Sequence, residues 1–161
     1  MTAPYITVAF STKYGGFLGA ITRFFGRSRR HSHIMLVRAD GKEIIESTDA
    51  RFYSVINHKW QDGVRRMSRT YLVARDNVEI RKIYHPHPAK VWTAALLYEG
   101  REYDNLFSLG YFLHNDAMQD SKKMSCTELI DAACRDTGHG LFPSWMGLPS
   151  VRDFYLLSHE L

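Results

Sequence analysis

The chain has 161 residues, 45% of them apolar and 24% charged, and 21 Lys and Arg against 17 Asp and Glu leave a formal charge of +4. That length buries one core and is short for two, so a single domain over residues 1–161 is expected, with no repeats or low-complexity linkers to divide it. No run of about 18 apolar residues occurs and residues 1–10 lack the pattern of a secretory signal, so no spanning helix is expected, and a cytoplasmic location is the default beside phage-borne or non-classical export.

In chain order, Tyr5 to Ser11 is rich in β-branched and aromatic residues and predicts a first strand. Gly15 and Gly16 interrupt it, and Phe17, Leu18, Ile21, Phe24 and Phe25 recur at helical spacing up to Gly26. Arg23, Arg27, Arg29, Arg30 and His31 form the clearest basic cluster. It lacks interleaved stacking aromatics, so it reads as a solvated basic loop and no nucleic-acid partner is expected; a cell-wall polymer or an anionic membrane would suit such a patch equally.

Ser32 to Val37 is a second strand, turned at Asp40 and Gly41 into a third from Glu43 to Ser47. Residues 51–68 are mixed and polar, with Tyr53 and Trp60 as expected anchors. Tyr71 to Ala74 and Val78 to Tyr84 read as short strands. A helix then starts near Pro88, groups Val91, Ala94, Ala95 and Tyr98 on one face, and stops at Gly100. Phe107 to Leu113 is an apolar run compatible with helix or strand. Last, Ser125-Cys126-Thr127-Glu128 fits a capping box, after which Leu129, Ile130, Ala133 and Cys134 predict a buried helix face ending by Gly138.

Cys126 and Cys134 lie eight residues apart, about 12 Å along one helix, too far for a mutual disulfide and in keeping with a reducing compartment. Cys134 falls on the apolar face and reads as core. Cys126 falls at the first helical position, where unpaired amides and the helix dipole favour thiolate and suit a nucleophile.

A base and an orienting group follow from the hairpin. With Asp40 and Gly41 at the centre of the turn, Ala39 pairs with Lys42 and Met35 stands opposite Glu46, which places Glu46 diagonally beside His33 on one face. Glu46 would then hold one ring nitrogen of His33 while the other takes the thiol proton. An odd-length turn would instead bring Ile45 or Ser47 to that face. His31 has the same parity as His33 but lies further up, in the polar loop.

The order of these segments resembles a known family. A helix such as 16–26, the Ser32-His33-Ile34-Met35-Leu36-Val37 strand, the Ile44-Ile45-Glu46 strand, a helix ending in Gly100-Arg101-Glu102-Tyr103-Asp104, and Ser125-Cys126-Thr127-Glu128-Leu129-Ile130 are similar to the circularly permuted papain-like hydrolases, relatives of the NlpC-type cell-wall peptidases. The resemblance covers residues 5 to about 155, and it has the histidine strand before the cysteine helix, as in the permuted branch. It implies an α+β fold with an antiparallel β-sheet packed against helices, and a Cys126, His33, Glu46 triad. The implied reaction cleaves an amide, in peptidoglycan peptides or a related peptide, through a thioester. The same branch includes acyltransferases resembling lecithin:retinol acyltransferase, which makes a lipid substrate the alternative. Their third residue is usually histidine and their cysteine lies in an Asn-Cys-Glu-His-like context, so Glu46 and Ser-Cys-Thr-Glu lean to the amidase side.

No cofactor and no metal are expected: His31, His33, His85 and His87 come in pairs, but no CxxC or HExxH accompanies them. Tyr103 reads as a second oxyanion donor or a packed side chain, and Phe107, Tyr111, Phe112, Trp145 and Phe154 as cleft lining or core. The non-enzymatic alternative is a binding module that keeps this architecture.

Overall fold

The computed structural model describes residues 4–11, 31–73, 78–104, 122–147 and 149–160. The helix expected over 17–26, most of the basic cluster and the apolar run 107–113 lie outside the described residues. The strands are β1 (Tyr5–Ser11), β2 (His33–Val37), β3 (Glu43–Ser54), β4 (Lys59–Ser68), β5 (Val78–Tyr84) and β6 (His159–Glu160). The helices are α1 (Thr70–Val73), α2 (Pro88–Leu96), α3 (Cys126–Arg135) and α4 (Val151–Leu157). The architecture is α+β: one antiparallel sheet in the order β4-β3-β2-β1-β5-β6, with helices against it.

Strand alternation divides the buried side chains between the two faces of the sheet. Ile6, Val8, Phe10, Ile34, Leu36, Ile45 and Val64 form the larger core with Val91 and Ala95 of α2, Leu129, Ile130 and Ala133 of α3, and Phe154 of α4. Ala9, Met35, Val37 and Ile44, one residue out of phase, form a smaller cluster with Leu72 of α1. Each large core side chain contributes about 1.5–3 kcal/mol by leaving water. No helix among the described residues is long and apolar enough to cross a membrane.

Two local expectations are corrected. The strand expected from Tyr71 to Ala74 is not found over its described part: Thr70–Val73 is a single helical turn that turns Leu72 into the smaller cluster, and Ala74 lies outside the described residues. Tyr53 and Trp60 are not buried anchors but an exposed cross-strand pair, their rings 6.0 Å apart. Of the aromatics read as cleft lining or core, Phe154 is wholly buried in the core and Trp145 is largely exposed.

Gly63 positions the segment that leads towards α3. Its φ of +121° lies in the region that disfavours side chains, and a Cβ there would sit 1.9 Å from the Arg101 carbonyl oxygen. That close approach lets Val64 N–H donate to Arg101 C=O at 2.8 Å and Gly100 N–H donate to Val64 C=O at 2.9 Å. The chain then pairs onward, Met124 N–H donating to Glu102 C=O at 2.9 Å, and so reaches the start of α3.

Candidate active site

Both halves of the expected capping box are made. Ser125 has extended backbone; its Oγ accepts the Glu128 N–H at 3.3 Å while the Glu128 carboxylate accepts the Ser125 N–H at 2.7 Å. A cap of this kind is worth about 0.5–2 kcal/mol. Here it also fixes the first helical residue, Cys126, whose thiol is free and buried. Ser47 Oγ donates to the Met124 carbonyl and ties the entry of α3 to β3. Cys134, two turns on, is wholly buried, and burial with Asp131 nearby pushes its thiol far up, as suits a core residue.

The hairpin between β2 and β3 has the expected register but a different turn. Leu36 pairs with Ile45 and Val37 with Ile44, the register that, extended by one residue, sets Met35 opposite Glu46. The turn starts earlier than two central residues would require: Arg38 C=O accepts from Gly41 N–H at 2.8 Å and Arg38 N–H donates to Glu43 C=O at 2.9 Å. Ala39 and Lys42 thus belong to the loop. Each strand gives up one residue, so the face of every side chain beyond is unchanged.

His33 Nε2 donates to Glu46 Oε2 at 2.7 Å, with both groups buried. Cys126 is close enough to act on the same ring, and with Nε2 engaged by Glu46 the ring's Nδ1 is the nitrogen left for it. Burial alone would strip the proton from His33. The hydrogen bonds to Cys126 and Glu46, and their negative charge, outweigh it and raise the imidazole from 6.5 to about 9.

One residue of this arrangement was not legible beforehand. Arg65 of β4 stands directly across from Glu46, and its Nε and Nη2 both donate to Glu46 Oε1, at 2.9 and 2.7 Å. Its Nη2 also donates to Tyr71 Oη at 2.8 Å, and the guanidinium lies 4.9 Å from the Phe52 ring centroid and 5.1 Å from that of Tyr71. Each oxygen of Glu46 therefore has its own cationic or imidazole partner. The signal that could have found Arg65 is its cross-strand position, had a hairpin been read over residues 43–68.

A scan against protein-family models and searches of the curated proteins and of the solved structures found no match.

The remaining candidates separate cleanly. Tyr103 lies close enough to Cys126 to feel its charge; burial, then the charges of Cys126, Asp49, Glu128 and Asp104, push its phenol well above 10, so it stays a protonated donor. His31 is taken up elsewhere, 3.2 Å from a Glu79 oxygen and with its ring 4.8 Å from that of Tyr155. His85 Nε2 faces the His139 carbonyl at 2.9 Å and its Nδ1 accepts from His87 N–H at 3.1 Å, so one ring nitrogen serves the local turn and the other ties it to the segment after α3. Among the described residues no group of three or more His, Cys, Asp or Glu is arranged to hold a metal. Phe107, Tyr111 and Phe112 lie outside the described residues.

Chemically, a thiol at a helix N-terminus, a ring nitrogen facing it and a pinned carboxylate behind the ring make a set able to run nucleophilic acyl transfer.

Proposed function

We propose that this chain is a cysteine hydrolase of circularly permuted papain-like architecture, cleaving amide bonds in peptidoglycan peptides or a related peptide. The observation that carries the reading is His33 set between the Cys126 thiol and the Glu46 carboxylate, with 2.7 Å between Nε2 and Oε2. A buried imidazole that holds its proton to about 9 and is pinned by the Glu46 carboxylate can protonate a leaving amine and balance the charge on sulfur during attack.

In the first half-reaction the Cys126 sulfur attacks the amide carbonyl carbon and the carbonyl π pair moves onto oxygen. Backbone N–H groups at the start of α3 receive that oxyanion, with the Tyr103 hydroxyl as the second donor. The C–N bond then breaks as His33 passes its proton to the leaving amine, and a thioester remains. In the second, His33 takes a proton from water, the hydroxide oxygen attacks the thioester, and the thiolate leaves with the acid product. Glu46 keeps the ring oriented and balances its charge, and Arg65 keeps Glu46 in place.

The test is mass spectrometry of purified peptidoglycan and of phospholipid mixtures incubated with wild type and Cys126→Ala. New amine termini that need Cys126 support the amidase; transfer of a lipid acyl group overturns it in favour of acyl transfer, and no Cys126-dependent product from either overturns both. Iodoacetamide near pH 6.5 adds a substrate-free check. Cys126 should label faster than a free model thiol and Cys134 should stay unlabelled; a Cys126 rate at or below the free thiol's removes the activated nucleophile.

A further inference from the structure

The far end of the β3–β4 hairpin is not needed by the sheet. In the β2–β3 register His33 stands opposite Thr48, so among the described residues β3 beyond that point has β4 as its only strand neighbour. A register shift between Thr48 and Phe52 follows, after which Phe52 pairs with Gln61, Tyr53 with Trp60 and Ser54 with Lys59. At the apex of this arm Val55 is 77% exposed and Ile56 56%, and just behind them Trp60 is 68% and Tyr53 51% exposed. Four large apolar side chains exposed at one end of the hairpin, two on the turn and two on the strands behind it, are of the kind that marks an interaction site.

The apex is braced, not frayed. Asn57 Nδ2 donates to Gln61 Oε1 at 2.7 Å and to the Gly100 carbonyl at 2.8 Å, its N–H donates to Ser54 Oγ at 3.1 Å, and Gln61 Nε2 donates to the Gly100 carbonyl at 3.2 Å. These bonds fix the polar side of the turn against the segment that follows α2, with Val55 largely outward and Ile56 more than half exposed beside Gly100. Within the arm itself the charges are cationic. Residues 50–61 include Arg51, His58 and Lys59 and no Asp or Glu, while Asp49 and Asp62 bound the stretch and Glu102 lies 3.0 Å from Lys59 at the exposed surface.

From these observations we infer that residues 51–60 form an arm that docks on an anionic lipid surface. Aliphatic side chains lead, an aromatic pair with polar tips follows and cations flank them, which matches the order from acyl chain to interface to anionic headgroup across one leaflet. A glycan would need a flat aromatic platform, whereas the Tyr53 and Trp60 rings meet edge to face at 70°. It would also have no use for an aliphatic apex. The inference is independent of the chemistry at Cys126.

Flotation with vesicles of phosphatidylcholine alone, or mixed with phosphatidylglycerol, tests it. Wild type should float with the mixed vesicles, be released by salt and float poorly with phosphatidylcholine. Val55→Asp/Ile56→Asp should bind the mixed vesicles about tenfold less or weaker still. Both side chains are exposed, so circular dichroism and the unfolding midpoint of that variant should match wild type. In a Trp92→Phe/Trp145→Phe background, Trp60 fluorescence should be quenched by brominated acyl chains. The inference is overturned if wild type ignores the mixed vesicles at low salt, if the double Asp variant floats as wild type does, or if Trp60 stays unquenched in bound protein. It is equally overturned if insoluble peptidoglycan retains wild type and Trp60→Ala abolishes that retention while vesicles do not compete.

Discussion

Removing Arg65 tests the arrangement at the link least visible from outside. Glu46 is fully buried, and Arg65, only 13% exposed, supplies two of the three hydrogen bonds that its carboxylate receives from Arg65 and His33. In Arg65→Met an apolar stem still packs between Phe52 and Tyr71, but the buried Glu46 carboxylate loses the two hydrogen bonds that Arg65 gives Oε1. Breaking a buried pair from one side costs about 3–5 kcal/mol, against about 0–1 kcal/mol for an exposed pair. For a chain of this length the expected loss is roughly 10 °C in Tm. Urea unfolding of Arg65→Met, Glu46→Gln and the double variant closes the cycle. The double variant should be about 1–3 kcal/mol more stable than the two single losses predict, because the second change removes the charge stranded by the first. A loss below about 1 kcal/mol in Arg65→Met, or strict additivity, would refute the idea that Arg65 holds Glu46.

The other two predictions concern pH and backbone geometry. His33 is raised from 6.5 to about 9, so it stabilises the fold fully below pH 6.5, progressively less as pH rises, and no longer above about 9; the whole term is roughly 3 kcal/mol at 1.36 kcal/mol per pH unit. Cys126→Ala should lower the His33 midpoint followed by its ring proton resonance and flatten the fall in stability between those limits. An unchanged midpoint would show that the thiol does not reach the ring. Gly63→Ala should cost at least about 2 kcal/mol in urea unfolding, because its φ of +121° and the 1.9 Å approach to Arg101 both oppose a Cβ. A cost near zero would mean that segment 100–102 is free to move away from β4.

The parts of this structure that were legible in the sequence are those in which one face packs on something. Tyr5–Ser11 has the expected bounds because Ile6, Val8 and Phe10 alternate against the α2 and α3 layer, and Val78–Tyr84 because Val78 and Ile80 pack on the smaller cluster while Ile83 joins the larger core. The start of α3 was legible from Ser125 and Glu128 alone, since a capping box is a local bond pattern. The proximity of His33 and Glu46 followed from the parity of one turn and survived an error in that turn's length. Beyond Thr48 the signal fails for a physical reason: the arm buries little on either face, so residues 51–60 carry no clean alternation, and Tyr53 and Trp60 looked like anchors only because they are large. Arg65 went unseen with that hairpin. Thr70–Val73 is too short for periodicity to separate helix from strand, and tertiary contacts to Leu72 and Tyr71 decide it.

The route Arg65, Glu46, His33, Cys126 takes one residue from each of β4, β3, β2 and the start of α3, and its members alternate cation, anion, imidazole and thiol. Each step depends on a different pairing. Glu46 meets Arg65 because they are cross-strand partners, and His33 because β2 and β3 share parity. The thiol meets His33 because Ser125 and Glu128 fix where α3 begins and Ser47 ties that entry to β3. A slip of one residue in either hairpin would move Glu46 to the face of Ile45 and Val64 and place a charge in the larger core. The energy that holds the register is therefore the same energy that holds the candidate site together, and a chain folded in the wrong register would lose stability and nucleophile activation in one step.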